Sequence, residues 1–341
     1  MRRVFAADIG GTSARFASFV LDDGKQRAGR GFGADSVPDL ELERAAWLPT
    51  SELTDTASVL AAFGRALDMS PDALGTAEAL VFALAGPVAG GRGSLTNGAL
   101  RLDLADARQL PPAFLINDFQ AQAYACAGRP GKTARPVVTP AEETRGPGGP
   151  RAVVGAGTGL GMAVLCGCGD RLLALPSEAG HADFPFAGGE ESRFQEFVRE
   201  HTGLPRVVGD VVLTGRGLAL LHRYLTGEIL NPREVSRRAL RGDTPTLRWY
   251  ARLYGRFCRN AVLTTLCTGG LWIAGGIAAD NPLAVTGESF AEEFFASAGV
   301  EPLLRRVPVF LMDDKNSGLW GAAYAGLLQP GGIRNRDASG A

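Results

Sequence analysis

The sequence carries no surplus of charge. Its 35 Lys and Arg face 36 Asp and Glu, a formal net charge of −1. Broad binding to nucleic acid or to an anionic membrane needs a basic surface, so neither partner is expected. Long hydrophobic runs are missing as well, and no apolar stretch reaches the length of a transmembrane helix. The N-terminus, Met-Arg-Arg followed by a strand containing Asp8, lacks the apolar stretch of a signal peptide, so the expected location is the cytoplasm. Cysteine is scarce and odd in number, and most of Cys126, Cys166, Cys168, Cys258 and Cys267 sit in apolar contexts, as small core residues do. Cys166-Gly-Cys168 has no second Cys/His pair at zinc-finger spacing, which argues against a metal site there. With 341 residues, 45% of them apolar, the chain can build two domains or one large one without disulfide staples.

What the sequence does have is two apolar strands that run into small-residue turns and out again. The first spans Val4 to Val20 through Gly10-Gly11-Thr12, and the second spans Ala152 to Leu165 through Gly157-Thr158-Gly159. Glycine permits positive φ and close backbone approach to a ligand. Backbone N–H groups and a Thr hydroxyl at such a tip suit phosphate oxygens. Each turn alone reads more readily as a plain strand connection. As a pair, about half a chain apart, they suggest a polyphosphate gripped from two sides. Asp8, at the end of the first strand, adds a carboxylate beside the amides. Mg²⁺, held directly or through water, takes such a carboxylate together with phosphates. Neither turn is a P-loop, because no Gly-Lys-Ser/Thr follows, and Leu160 stands where a Rossmann fingerprint needs its third glycine.

Periodicity predicts strands over residues 3–9, 14–21, 79–84, 114–116, 271–274 and 307–312. It predicts helices over 51–68 (capped at Ser51), 119–127, 190–201, 246–266 and 317–328. A turn is expected at 22–24, irregular Gly-rich chain over 24–40, and a surface loop over 128–150 with a possible short strand at 136–139. The tail, 331–341, is expected to be disordered. Strands alternate with helices and the strand–turn–strand unit occurs twice, so the chain reads as two α/β domains from a duplicated core with a cleft between them. Ligands in such folds bind at the carboxyl ends of strands, where Asp8, Gly86, Asp118 and Gly275 are all expected.

Asp118, after a strand and next to Asn117, is a candidate general base that accepts a hydroxyl proton as the oxygen attacks phosphorus. Asn117 could hydrogen-bond a second hydroxyl. The competing reading makes Asp118 the N-cap of the next helix. Glu178 and His181, three apart with small residues between, offer acceptors and a donor to adjacent sugar hydroxyls. One His and one Glu do not make a zinc site. Gly275-Gly276 ends a strand with a flat surface suited to an adenine ring or ribose, or with a tight strand-to-helix turn.

These pieces, in this order, resemble the bacterial glucokinase family within the sugar-kinase, actin and heat-shock-chaperone superfamily. The segments that carry the resemblance are ADIGGTSAR (7–15), LAGPV (84–88), LTN (95–97), INDF (116–119), GAGTGLG (155–161), SEAGH (177–181), VLTGRGL (212–218), IAGGI (273–277) and LWGAAYAG (319–326). The resemblance implies a two-domain actin-like ATPase (ribonuclease H-like) fold. A small domain would hold 1–116 plus the terminal helix, 317–330, and a large domain 117–316. It implies an ATP- and Mg²⁺-dependent hexokinase acting on the 6-hydroxyl of glucose and feeding glycolysis. Asp118 would take the proton, and Asn97, Asn117, Glu178 and His181 would bind sugar hydroxyls. Asp8, Gly10, Gly11, Thr12, Gly157, Thr158 and Gly159 would surround Mg²⁺ and the phosphates, with Gly275 and Gly276 near the adenosine. Members are commonly homodimers.

Three positions depart from the family pattern. Asp210 stands where a sugar-binding Glu is usual, and, one methylene short, is expected to bind the sugar only through water or by a backbone shift. Ser13 replaces the usual Asn in the first turn, and Gly98-Ala99-Leu100 replaces the usual Trp after Asn97. These bear on which hexose is preferred, so a kinase for another hexose is one alternative, and a non-catalytic sugar or nucleotide sensor is another. The Cys-rich zinc motif of the neighbouring sugar-kinase and repressor family is absent, because no Cys lies between His181 and Cys258.

Overall fold

The computed structural model describes residues 2–21, 37–96, 98–107, 111–140, 149–169 and 171–329. The expectations for the turn at 22–24, for most of 24–40, for Asn97 and for the tail at 331–341 lie outside the described residues. Among the described residues no helix is long and apolar enough to cross a membrane.

The chain divides into two compact units. The first comprises Met1–Lys132, Leu165–Pro176 and Lys315–Ala341, the second Thr133–Val164 and Ser177–Asp314. The sheet of the first unit has the order β3-β2-β1-β4-β8, from β1 (Arg3–Ile9), β2 (Ser13–Leu21), β3 (Leu40–Pro49), β4 (Ala79–Leu84) and β8 (Ala113–Asn117). A small sheet of β5 (Val88–Ala89), β6 (Arg92–Ser94) and β7 (Arg101–Asp103) lies between β4 and β8 in sequence. The second large sheet has the order β12-β11-β10-β13-β14-β9, from β9 (Arg135–Val138), β10 (Arg151–Ala156), β11 (Leu160–Cys168), β12 (Arg171–Ser177), β13 (Gly270–Ala274) and β14 (Val309–Leu311). The antiparallel β2-β1 pair flanked by parallel β4 and β8 is matched by β11-β10 flanked by parallel β13 and β14. This is the duplicated core that the two Gly turns predict.

Why these residues form these elements is visible in their faces. β4, fully buried, reads as an unbroken apolar run, as a central parallel strand does. The helix Thr56–Leu67 sends Val59, Phe63 and Leu67 into the first core, where Phe63 meets Phe5, Phe16 and Phe82 edge-on. Its cap is Asp55, not Ser51, because Thr50–Glu52 forms a separate 3₁₀ turn and Asp55 builds a capping box with Ser58. The terminal helix Ser317–Leu328 is apolar all round and buried against β1, β4 and the helix Asp118–Ala125. Gly321 permits that packing, since a Cβ there would run into the Ala121 carbonyl.

In the second unit the long helix Pro245–Thr265 supports the site directly. The Tyr254 hydroxyl accepts the Ala156 N–H at 3.2 Å, one residue before the Gly turn, and the Tyr250 hydroxyl donates to the Leu213 carbonyl at 2.6 Å. The expected loop at 128–150 contains a short helix, Arg129–Lys132, and β9, which pairs antiparallel with β14. The expected domain division differs from the two units over 117–132, where the helix Asp118–Ala125 packs on the terminal helix of the first unit, and over 165–176, which also falls in the first unit.

Candidate active site

The register of the first sheet sets its site residues level with one another. Ile9 pairs with Leu84, and Leu84 pairs with Asn117, all in parallel strands. The carboxyl ends of β1, β4 and β8 therefore finish together, so Asp8, Gly86, Asn117 and Asp118 share one edge of one sheet. Asn117 is the N-cap of the helix Asp118–Ala125. Its Oδ1 accepts the Phe119 N–H at 2.9 Å, and Gln120 Oε1 returns to the Asn117 N–H at 3.0 Å. Its Nδ2 donates to the Gly86 carbonyl at 3.1 Å. The cap is thus Asn117, and Asp118 is the first helical residue, which frees it from the role that competed with catalysis. The spacing Asn117-x-x-Gln120 was the available signal.

Asp118 Oδ1 accepts the Phe119 N–H at 2.9 Å, yet its carboxyl is pushed up from 3.8 to about 7. Burial is the larger cause, and the nearby charge of Asp8 adds to it. Asp8 is itself pushed above the usual carboxylate range by burial, against the opposing pull of Arg15. Its side chain is 15% exposed and meets Arg15 across the hairpin at 3.4 Å. Arg15 also donates to the Lys315 carbonyl at 2.6 Å and lies over the Trp47 ring at 4.2 Å. Arg15 was not anticipated as part of the site, although its place opposite Asp8 follows from a tight turn at 10–12.

Among the described residues no group of three or more His, Cys, Asp or Glu could cage a metal. Mg²⁺ does not need a cage, since one or two carboxylates with phosphates and waters suffice. A shielded carboxylate that burial makes reluctant to carry its charge alone is a donor that a divalent cation favours. Asp8 therefore fits the Mg²⁺ expectation chemically.

The first tip is held by Thr50, another residue without a sequence signal. Its hydroxyl donates to the Gly10 carbonyl at 2.7 Å and its N–H to the Thr12 carbonyl at 3.2 Å. The Gly10 N–H is used by the Ser13 carbonyl, whereas the Gly11 and Thr12 N–H groups donate to nothing among the described residues. In the second tip the Gly157 N–H goes to the Gly159 carbonyl at 2.9 Å, and those of Thr158 and Gly159 likewise find no partner among the described residues. The positive φ that glycine permits is not used at these tips, since none of Gly10, Gly11, Gly157 and Gly159 has it. Their use is openness, for a Cβ on Gly11 or Gly157 would point into empty space.

Glu178 and His181 stand on a turn closed by the His181 N–H to the Glu178 carbonyl at 2.9 Å. Both side chains are exposed, Glu178 80% and His181 64%, and Oε2 lies 3.8 Å from Nε2. Gly180 is required because a Cβ there would strike the Leu160 carbonyl, so this turn sits directly on the end of the second Gly tip. Gly275 (φ 89°) caps the helix Gly276–Asp280, and any Cβ on it would crowd Ala156. The strand-to-helix turn is real, and Gly276 leaves an open surface beside it. Asp210 Oδ1 accepts the Leu160 N–H at 2.7 Å.

The family description "Glucokinase" matches residues 5–328. A glucokinase of Nitrobacter hamburgensis is 32% identical over 334 residues, covering 93% of this chain and 94% of that protein. A crystal structure of glucokinase from an Antarctic psychrotroph superposes with a TM-score of 0.78 at 24% identity, covering 95% of this chain and 98% of that one. A glucokinase of the sugar-kinase and repressor family from Streptomyces griseus, solved in complex with glucose and AMPPNP, gives a TM-score of 0.58 at 16% identity, covering 94% of this chain and 98% of that one. The structures show the fold, the actin-like ATPase arrangement of two related α/β units.

Proposed function

The chain belongs to the glucokinase family, and from that premise we propose how it phosphorylates glucose at the expense of ATP. Phosphoryl transfer asks a protein for positioning and charge stabilisation more than for covalent chemistry. Asp118 orients the glucose 6-hydroxyl and takes its proton as the oxygen bonds to phosphorus. The observation that carries this role is a carboxyl pushed to about 7, near working pH, on a helix whose capping is done by its neighbour. Glu178 and His181 hold sugar hydroxyls, and Asn117, whose amide oxygen retains one lone pair beyond the Phe119 N–H and whose side chain also hydrogen-bonds Asp118, adds a contact beside the base. Asn97 is assigned to the sugar by the family resemblance alone.

The unpartnered N–H groups of Gly11, Thr12, Thr158 and Gly159 bind phosphate oxygens, and Gly275 and Gly276 give the adenosine a flat backbone surface. Mg²⁺, when bound near Asp8, supplies neutralisation of charge on the transferred group. The enzyme works in the cytoplasm as a homodimer, in keeping with its family.

A coupled ADP-release assay over a panel of hexoses, with and without Mg²⁺, tests this reading. Release that depends on glucose and Mg²⁺ is expected. No release with any sugar would remove the kinase assignment, and preference for another hexose would move the substrate.

A further inference from the structure

Asp210 holds the position at which the family places a sugar-binding Glu, and its geometry gives it different work. It stands on the short helix Gly209–Leu213, which is tied to two neighbouring turns. The Gly209 N–H donates to the Ala182 carbonyl at 3.1 Å, which fixes this helix to the turn carrying Glu178 and His181. The Gly215 N–H, at the start of the next helix (Gly215–Thr226), donates to the Gly157 carbonyl at 3.2 Å, which fixes the chain just beyond the short helix to the second Gly tip. Asp210 Oδ1 closes the set by accepting the Leu160 N–H at 2.7 Å, short for an amide donor and typical of a charged acceptor. The fit leaves little slack. A Cβ on Gly159 would lie 3.4 Å from that same Oδ1, and a Cβ on Gly209 would lie 2.9 Å from Leu160 Cδ2 and 3.2 Å from the Gly180 carbonyl.

We propose that Asp210 is a positioning residue for the 157–160 turn, setting the open N–H groups of Thr158 and Gly159 for the nucleotide phosphates, and not a ligand of the sugar. The inference rests on the reading of that turn as a phosphate site. The missing methylene is what makes it work. A Glu carboxylate would project past the Leu160 N–H, whereas the Asp carboxylate reaches it directly. With the Leu160 N–H engaged, the turn leaves Thr158 and Gly159 as its two outward donors. Without the carboxylate, a half-buried N–H at the start of β11 has no acceptor, and the turn loses its reason to hold one shape.

The test uses the full-length enzyme with Asp210→Ala and Asp210→Asn. Loss of one charge-assisted hydrogen bond should raise KM for ATP about tenfold in the alanine variant, with KM for glucose within about twofold. Asn, which keeps an oxygen in place, should give a smaller rise in the same constant. Hydrogen exchange adds a readout independent of turnover, because the Leu160 amide should lose protection in Asp210→Ala with no ligand present, and Mg²⁺-AMPPNP should bind more weakly by calorimetry. A rise in the glucose constant alone, or an unchanged Leu160 amide, would overturn the proposal. If the alanine variant does not fold, Asp210→Asn decides by which of the two constants moves. Should wild type fail to phosphorylate glucose while Asp210→Ala still frees Leu160 and weakens AMPPNP, the function falls and the positioning role stands.

Discussion

The two Gly tips look alike in sequence and are held differently. The first is braced by donors, the hydroxyl and N–H of Thr50 on the Gly10 and Thr12 carbonyls. The second has a donor too, the Gly215 N–H on the Gly157 carbonyl, and adds an acceptor, the Asp210 carboxylate on the Leu160 N–H. The surroundings differ in the same sense. In the first unit Asp8 is 15% exposed, and both Asp8 and Asp118 are pushed above the carboxylate range. In the second unit Glu178 and His181 stand out into solvent at 80% and 64% exposure. Duplicating a topology has not duplicated its chemistry. Shielding favours a group that must change protonation, and exposure favours groups that must meet a hydrated sugar. The first unit should therefore govern kcat and the second KM.

The sharpest break of that comparison is Asp118→Asn. It should lower kcat by about 10²–10⁴-fold while glucose binding changes little, as steady-state kinetics and calorimetry would show. Near-normal turnover would end the division of labour. The same variant should be more stable than wild type above pH 7. A carboxyl at about 7 in the folded chain and 3.8 unfolded favours folding while protonated, and that contribution is lost as pH rises through about 7. The neutral amide has nothing to lose, so the difference in Tm should close as pH falls towards the unfolded value. After allowance for solvent screening the gain is about 1–2 kcal/mol.

Next in size is Gly318→Ala, because a Cβ there would collide with the Asp8 carboxylate. Alanine ordinarily favours a helix, so a loss of about 1–3 kcal/mol in denaturant unfolding, with a lower kcat, would report the displaced Asp8. A gain in stability would show that Asp8 moves freely. The smallest effect belongs to the exposed unit. His181→Ala should raise KM for glucose about tenfold and leave kcat within about twofold, so an unchanged KM would make His181 structural.

Much of this was legible because local chemistry and long-range order agree. The terminal helix over 317–328 and the strand at 79–84 follow from apolar pattern alone, since each is buried on every side. The Gly tips announced the duplication. β3 was not anticipated, because it is an edge strand whose residues are mostly exposed, although Leu40, Leu42, Ala46 and Leu48 mark its less exposed face at period 2. Thr50, Gly318 and the Leu160 partner of Asp210 were invisible for a different reason. Their roles depend on which backbone lies opposite, and that is set by tertiary packing 40 to 310 residues away. Family resemblance pointed Asp210 at the sugar, and only the register of the short helix against β11 shows what the shorter side chain reaches.

The central claim is that shielding and the neighbouring Asp8 poise Asp118 as a base. It is met most directly by the pH dependence of kcat/KM for glucose in the wild-type enzyme at saturating Mg²⁺ and ATP. The expected profile rises about tenfold per pH unit on its acid side and levels above an apparent pKa of about 7. A rate that stays flat down to about pH 5 would mean that no such base is in play, and would contradict the account.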